Sequence, residues 1–133
     1  MKTSRFIPFF AAFAIVSAIL AAPALEAREP IAVNQFNFRK KVLNTDKLVV
    51  LEFWADWCAA CHLVEPIVEE LSDIYDRKVT FAKVDGDRNP GLSRWFGVKA
   101  LPTIIFIKEG EVVDGFNGAP GKEEFEAAIL RHL

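Results

Sequence analysis

The stretch Phe53-Trp54-Ala55-Asp56-Trp57-Cys58-Ala59-Ala60-Cys61-His62 constrains this chain most, because it holds both of its cysteines, spaced C-x-x-C. Upstream, Leu48-Val49-Val50-Leu51-Glu52-Phe53 is apolar and β-branched enough for a buried strand. Downstream, Val64, Ile67, Val68, Leu71, Ile74 and Tyr75 recur at helical spacing, while Glu65, Glu69, Glu70, Asp73 and Asp76 are expected to face water. The cysteine pair therefore sits where a strand hands over to a helix. Cys58 at that helix's N-terminus meets unpaired N–H groups and the positive end of the dipole, which favour the thiolate, the form that attacks disulfides. A thiol of pKa ~8.5 is only about 3% ionised at pH 7, and lowering its pKa to ~7 takes about 2 kcal/mol. Because nucleophilicity falls along with the pKa, the net gain in attack rate is only about 3-fold, so tuning acts mainly on leaving ability and redox poise.

Two other uses of C-x-x-C compete with redox exchange. As a structural disulfide it would close a four-residue loop, which contributes only about 2 kcal/mol and makes a poor staple. As half of a zinc site it would need two more ligands, and His62 and His132 are the only histidines, the second at the far end of the chain. Thiol–disulfide exchange is the reading these residues favour, with no metal and no cofactor, since the electrons reside on the cysteine pair. His62, four residues past Cys58, is either a surface imidazole or an influence on the thiolate.

At the N-terminus, Lys2 and Arg5 precede a largely apolar, alanine-rich run from Phe6 to Leu25, with small-residue cleavage sites at Ala22-Pro23-Ala24 and Leu25-Glu26-Ala27. This reads as a signal peptide over residues 1–27, cleaved after Ala24 or Ala27. An uncleaved membrane anchor is the alternative, since about 20 apolar residues just span a bilayer. Pro8, Pro23 and the cleavage sites favour removal. A periplasmic or otherwise extracytoplasmic location follows, membrane-anchored if the segment stays. Residues 28–133 then form one domain around one core. Losing Lys2 and Arg5 leaves 14 basic against 18 acidic residues, a balance of −4, or −3 if Glu26 is lost too, so no nucleic-acid partner is expected.

Within that domain Asn34 is expected to cap a short helix through Leu43, burying Phe36, Val42 and Leu43. Glu52 is the anomaly of its strand, because a buried carboxylate is costly unless it is paired or protonated. Pro66 should kink the following helix without ending it. Val79 to Val84 reads as a strand, and Asn89-Pro90 as the start of a helix that ends by Gly97. This alternation implies a parallel sheet core with right-handed crossovers. Pro102–Ile107 and Glu111–Phe116 flank Lys108-Glu109-Gly110 as a hairpin, and Lys122 to Leu133 closes the chain as a helix carrying Phe125, Ala128 and Ile129 on one face.

In order and spacing, several features resemble the thioredoxin-like thiol–disulfide oxidoreductases from Ile31 to Leu133, and the leader marks an exported member. They are F-W-A-x-W-C-x-x-C at Phe53 to Cys61, Pro66, Lys83-Val84-Asp85, Leu101-Pro102-Thr103, Gly110 and Gly118. The resemblance implies the α/β thioredoxin fold, a central mixed sheet flanked by helices on both faces. It implies that Cys58 attacks a protein disulfide, that Cys61 resolves the mixed disulfide, and that Glu52 takes the place of the buried acid, usually Asp, that exchanges a proton with the second cysteine. Lys83 matches the family's lysine near that acid. Pro102 matches a cis-proline facing the cysteines, which leaves the backbone of Leu101 free to pair with a substrate peptide. Trp57 and Gly118 match the rim of that peptide site.

Ala59-Ala60 departs from the Gly-Pro of cytoplasmic thioredoxins, and W-A-D-W-C is similar to the C-terminal domain of membrane-bound periplasmic disulfide reductases. That similarity implies a monomer that reduces exported proteins and is recharged by a membrane-bound thiol reductase. A disulfide oxidase or isomerase is the alternative, since oxidising members often carry Glu at the position of Glu52. A non-catalytic peptide-binding module of the same fold is the other.

Overall fold

The computed structural model describes residues 28–133, so the leader and its cleavage sites lie outside the described residues. Strands β1 (Ile31–Ala32), β2 (Leu48–Trp54), β3 (Val79–Asp85), β4 (Thr103–Lys108) and β5 (Glu111–Asn117) form one sheet in the order β1-β3-β2-β4-β5. The first three are parallel, while β4 and β5 run antiparallel as a hairpin, so the sheet is mixed. Glu109 and Gly110, both at positive φ, make the two-residue turn whose twist suits such a hairpin.

Side chains alternate across a strand, so central β2 feeds two cores at once. Leu48 and Val50 pack with Phe106 of β4 against Val64, Val68 and Leu71 of α1 (Ala59–Tyr75) and Phe125 and Ile129 of α3 (Lys122–His132). Val49, Leu51 and Phe53 face the opposite side, where Phe38, Val42 and Leu92 of α2 (Pro90–Trp95) cover them. Glu52 therefore falls in the row of Leu48 and Val50, on the α1 side. Its register neighbours are Lys83 on β3 and Ile104 on β4. Among the described residues no helix is long and apolar enough to cross a membrane.

Three local expectations are corrected. Asn34 does cap, its Oδ1 accepting the Phe36 and Asn37 N–H groups while Asn37 Oδ1 accepts the Asn34 N–H in return. The turn that follows, however, closes as a π-helical turn over Arg39–Leu43, with Asn44 N–H donating to the Arg39 carbonyl. Phe36 is 87% exposed, and Phe38 takes the core place expected for it, packed on the Trp95 and Phe96 rings. On α1, which runs unbroken through Pro66, Ile74 is 55% exposed and Ser72 is buried instead. The cause is the N-terminal arm: Ser72 Oγ donates to the Arg28 carbonyl at 2.8 Å, and the Arg28 N–H donates to Asp73 Oδ1 at 2.9 Å, so the arm covers one margin of the helix and leaves the other open. Asn89 precedes α2, but its side chain bridges outward, accepting from Gln35 N–H and donating to the Asp85 carbonyl.

Candidate active site

Cys58 and Cys61 are joined as a disulfide at the β2–α1 junction, so the structure is that of the oxidised protein. Cys58 is the N-cap of α1, and its Sγ accepts the Cys61 N–H at 3.1 Å. That donor is one the helix leaves without an internal partner, and it points at the sulfur that must carry negative charge as attacking or leaving thiolate. Exposure does not distinguish the two cysteines, for each is 4% exposed. Their difference lies in what each sulfur faces. Cys58 has the helix end, whereas Cys61 lines a cavity of about 10 Å³ with Glu52, Trp54, His62, Glu65 and Lys83.

Glu52 is 5% exposed. Burial pushes its carboxyl up to about 7 from the ordinary 4.5; the Lys83 ammonium pulls it down, and the Glu65 carboxylate pushes it up further. Lys83 does not give Glu52 its hydrogen bond. Its Nζ donates to Glu65 Oε1 at 3.2 Å and sits 4.6 Å from the centre of the Trp54 ring. Glu65, expected to face water, is thus a half-exposed wall of the Glu52 cavity and the residue the sequence reading missed. The available signal was its position four residues past Cys61, on the same helix face. Asp73 and Glu70 face water as expected, and from that exposed side Asp73 accepts the Arg28 N–H and Glu70 pairs with Lys122.

His62 bridges rather than standing free. Its Nε2 lies 3.0 Å from the Asp56 carbonyl and its Nδ1 3.6 Å from Glu65 Oε2, and the bond to that carbonyl is the main reason its pKa is raised. His132 is bonded to Asp114 at the end of α3. Among the described residues no three His, Cys, Asp or Glu side chains group to hold a metal.

Trp57 is 70% exposed, and its indole N–H donates to Asp87 Oδ2 at 2.8 Å. It shares a groove of about 220 Å³ with Gly86, Asp87, Val98, Lys99 and Leu101. The Leu101–Pro102 peptide bond is cis, and the Pro102 carbonyl accepts the Gly118 N–H at 2.8 Å. Gly118 has φ +105°, a conformation that side-chain-bearing residues rarely adopt. The structure thus brings Trp57 to Leu101, and Pro102 to Gly118.

A family model described as Thioredoxin matches residues 29–131. The chain belongs to the thioredoxin family. Among its thioredoxin relatives, that of Chlorobaculum thiosulfatiphilum is 38% identical over 97 residues, covering 73% of this chain and 90% of the relative. Thioredoxin 1 of a Nostoc species is 35% identical over 101 residues, 76% of this chain and 94% of its own length. A Mycobacterium bovis thioredoxin is 40% identical over 108 residues, 81% of this chain and 90% of the relative. With the Cys58–Cys61 pair in place, this thioredoxin-family chain is a thiol–disulfide oxidoreductase that acts on protein disulfides, and the family's exchange chemistry runs on the cysteines without a cofactor.

Proposed function

We propose that the chain is a protein-disulfide reductase of an extracytoplasmic space, with Cys58 as attacking and Cys61 as resolving thiol. The observation that carries this reading is the unequal setting of the two sulfurs, one at the helix N-cap and the other on the Glu52 cavity. Cys58 thiolate attacks a substrate disulfide, the displaced thiolate leaves and takes a proton, and a mixed disulfide remains. Cys61 gives its proton to Glu52, directly or across one water, for which about 10 Å³ is the minimum space. The Cys61 thiolate then attacks Cys58 Sγ and expels the second substrate thiolate. Two electrons pass to the substrate and the protein is left as the disulfide. Trp57, Leu101, Pro102 and Gly118 flank the bound peptide, and the Trp57–Leu101 groove takes one of its side chains.

The reducing direction is supported by how little holds the Cys58 thiolate. Ala59 and Ala60 carry no side-chain donor, and both ring nitrogens of His62 are turned to Asp56 and Glu65. A less stabilised thiolate means a less favoured reduced form and a lower potential, about 30 mV for each factor of ten. Redox titration against glutathione is therefore expected to give a potential nearer the ~−270 mV typical of thioredoxins than the ~−120 mV of a strong oxidant. A value at or above that of glutathione, with the protein found in cells mainly as the disulfide, makes it an oxidase or isomerase instead.

Export is supported by Lys2, Arg5 and the apolar run to Leu25, all outside the family match. Cleavage after Ala24 leaves the arm contacts made by Arg28 in place, and cleavage after Ala27 turns the Arg28 nitrogen that faces Asp73 into an α-ammonium, still a donor to that carboxylate. Intact mass of the exported protein is expected to begin at Leu25 or Arg28, with the protein in the soluble fraction as a monomer. Met1 retained and the protein in the membrane fraction establishes the anchor. In either location a membrane-bound thiol reductase supplies the electrons.

A further inference from the structure

Glu65 has no assigned part in the exchange described above, yet it lines the same cavity as the resolving cysteine and the buried acid. It lies four residues after Cys61, so the two side chains leave α1 on one face. One carboxylate oxygen accepts from Lys83 Nζ at 3.2 Å, and the other lies 3.6 Å from His62 Nδ1. Lys83 is the register neighbour of Glu52, and both face α1. The charged groups around Glu52 are Lys83 from β3, Glu65, Glu69 and His62 from α1, and Glu29 from the arm, while its β4 neighbour is the apolar Ile104. Among the described residues Lys83 is the one lysine or arginine lining either cavity, and Glu65 holds it.

We infer that Glu65 is a positioning residue for the resolving step: by holding Lys83 it keeps that ammonium from pairing with Glu52, and so keeps Glu52 able to take up and release the Cys61 proton near neutral pH. This rests on the reading of Glu52 as proton acceptor. A cation hydrogen-bonded to a carboxylate lowers its pKa by about 1–3 units. Paired in that way, Glu52 would remain a carboxylate throughout the neutral range and be too weak a base to draw the thiol proton efficiently. Glu65 itself gains and loses nothing. The proton moves from Cys61 Sγ to Glu52, and the electron pair of the new sulfur–sulfur bond comes from the Cys61 thiolate. His62, at the exposed end, approaches the other oxygen of the same carboxylate.

The test is single-turnover release of the mixed disulfide from about pH 5 to about pH 9, in wild type, Glu65→Gln, Glu65→Asp and Glu52→Gln. Wild type is expected to titrate near neutrality, and Glu52→Gln to lose that titration. Glu65→Gln should move the midpoint down by about one pH unit as Lys83 turns to Glu52, and Glu65→Asp, which keeps the carboxylate, should move it less. A Glu65→Gln midpoint that stays put or rises, with Glu52→Gln still abolishing the titration, overturns the role of Glu65 and leaves Glu52 in place. A wild-type profile that survives Glu52→Gln overturns both.

Discussion

Cys61→Ser protein is expected to accumulate a mixed disulfide through Cys58 and to turn over at least about 10³-fold more slowly, because an oriented intramolecular thiol acts at effective molarities of ~10⁵ M or more and millimolar external thiol cannot replace it. The partners of the two sulfurs decide which one attacks. Cys58 Sγ receives the Cys61 N–H at 3.1 Å as N-cap of a 17-residue helix, so its thiolate is the one stabilised. Cys61 lines an acid-lined cavity, a setting for a thiol that must give up a proton late. The complementary Cys58→Ser variant keeps Cys61 but lacks the sulfur at the N-cap, so it should trap little substrate. Non-reducing gels with mass mapping of the trapped cysteine read the result. Trapping through Cys61 in Cys58→Ser at equal or greater yield reverses the assignment.

The sheet and the cysteine pair were legible because each leaves a short-range signature. The β2 run, its polar interruption at Glu52 and the helical repeat after Cys61 are all patterns within about twenty residues, and alternation alone puts Glu52 on the row of Leu48 and Val50. The misses depend on partners remote in the chain. Glu65 shares the Cys61 face of α1, but what fixes its part is Lys83, 18 residues on and on another strand. Ser72 and Ile74 exchange their expected burial because Arg28, 44 residues before Ser72, lies on one margin of α1. Phe36 and Phe38 are two aromatics on one turn. Reciprocal Asn34–Asn37 capping and the rings of Trp95 and Phe96 decide that the second goes inside.

Glu52→Gln is expected to change stability and mechanism together, with opposite signs. The folded protein holds the Glu52 proton up to about pH 7, whereas the unfolded chain releases it near 4.5. Because the folded pKa is the higher one, wild-type stability from this group is full below about pH 4.5, declines as pH rises toward 7, and is constant above that. The loss is about 3 kcal/mol at one unit per 1.36 kcal/mol, and Gln, which does not ionise, escapes it. Urea unfolding at about pH 4 and about pH 8 should therefore show the variant gaining on wild type by about that amount at the higher pH. Catalysis moves the other way. Without the carboxylate, Cys61 must lose its proton to solvent, and release of the mixed disulfide should slow by at least about 10-fold at pH 7 while its formation changes less. A variant that gains no stability with pH denies the strain of the buried carboxylate. Stopped-flow traces with both steps unchanged reduce Glu52 to a strand residue whose proton the exchange does not use.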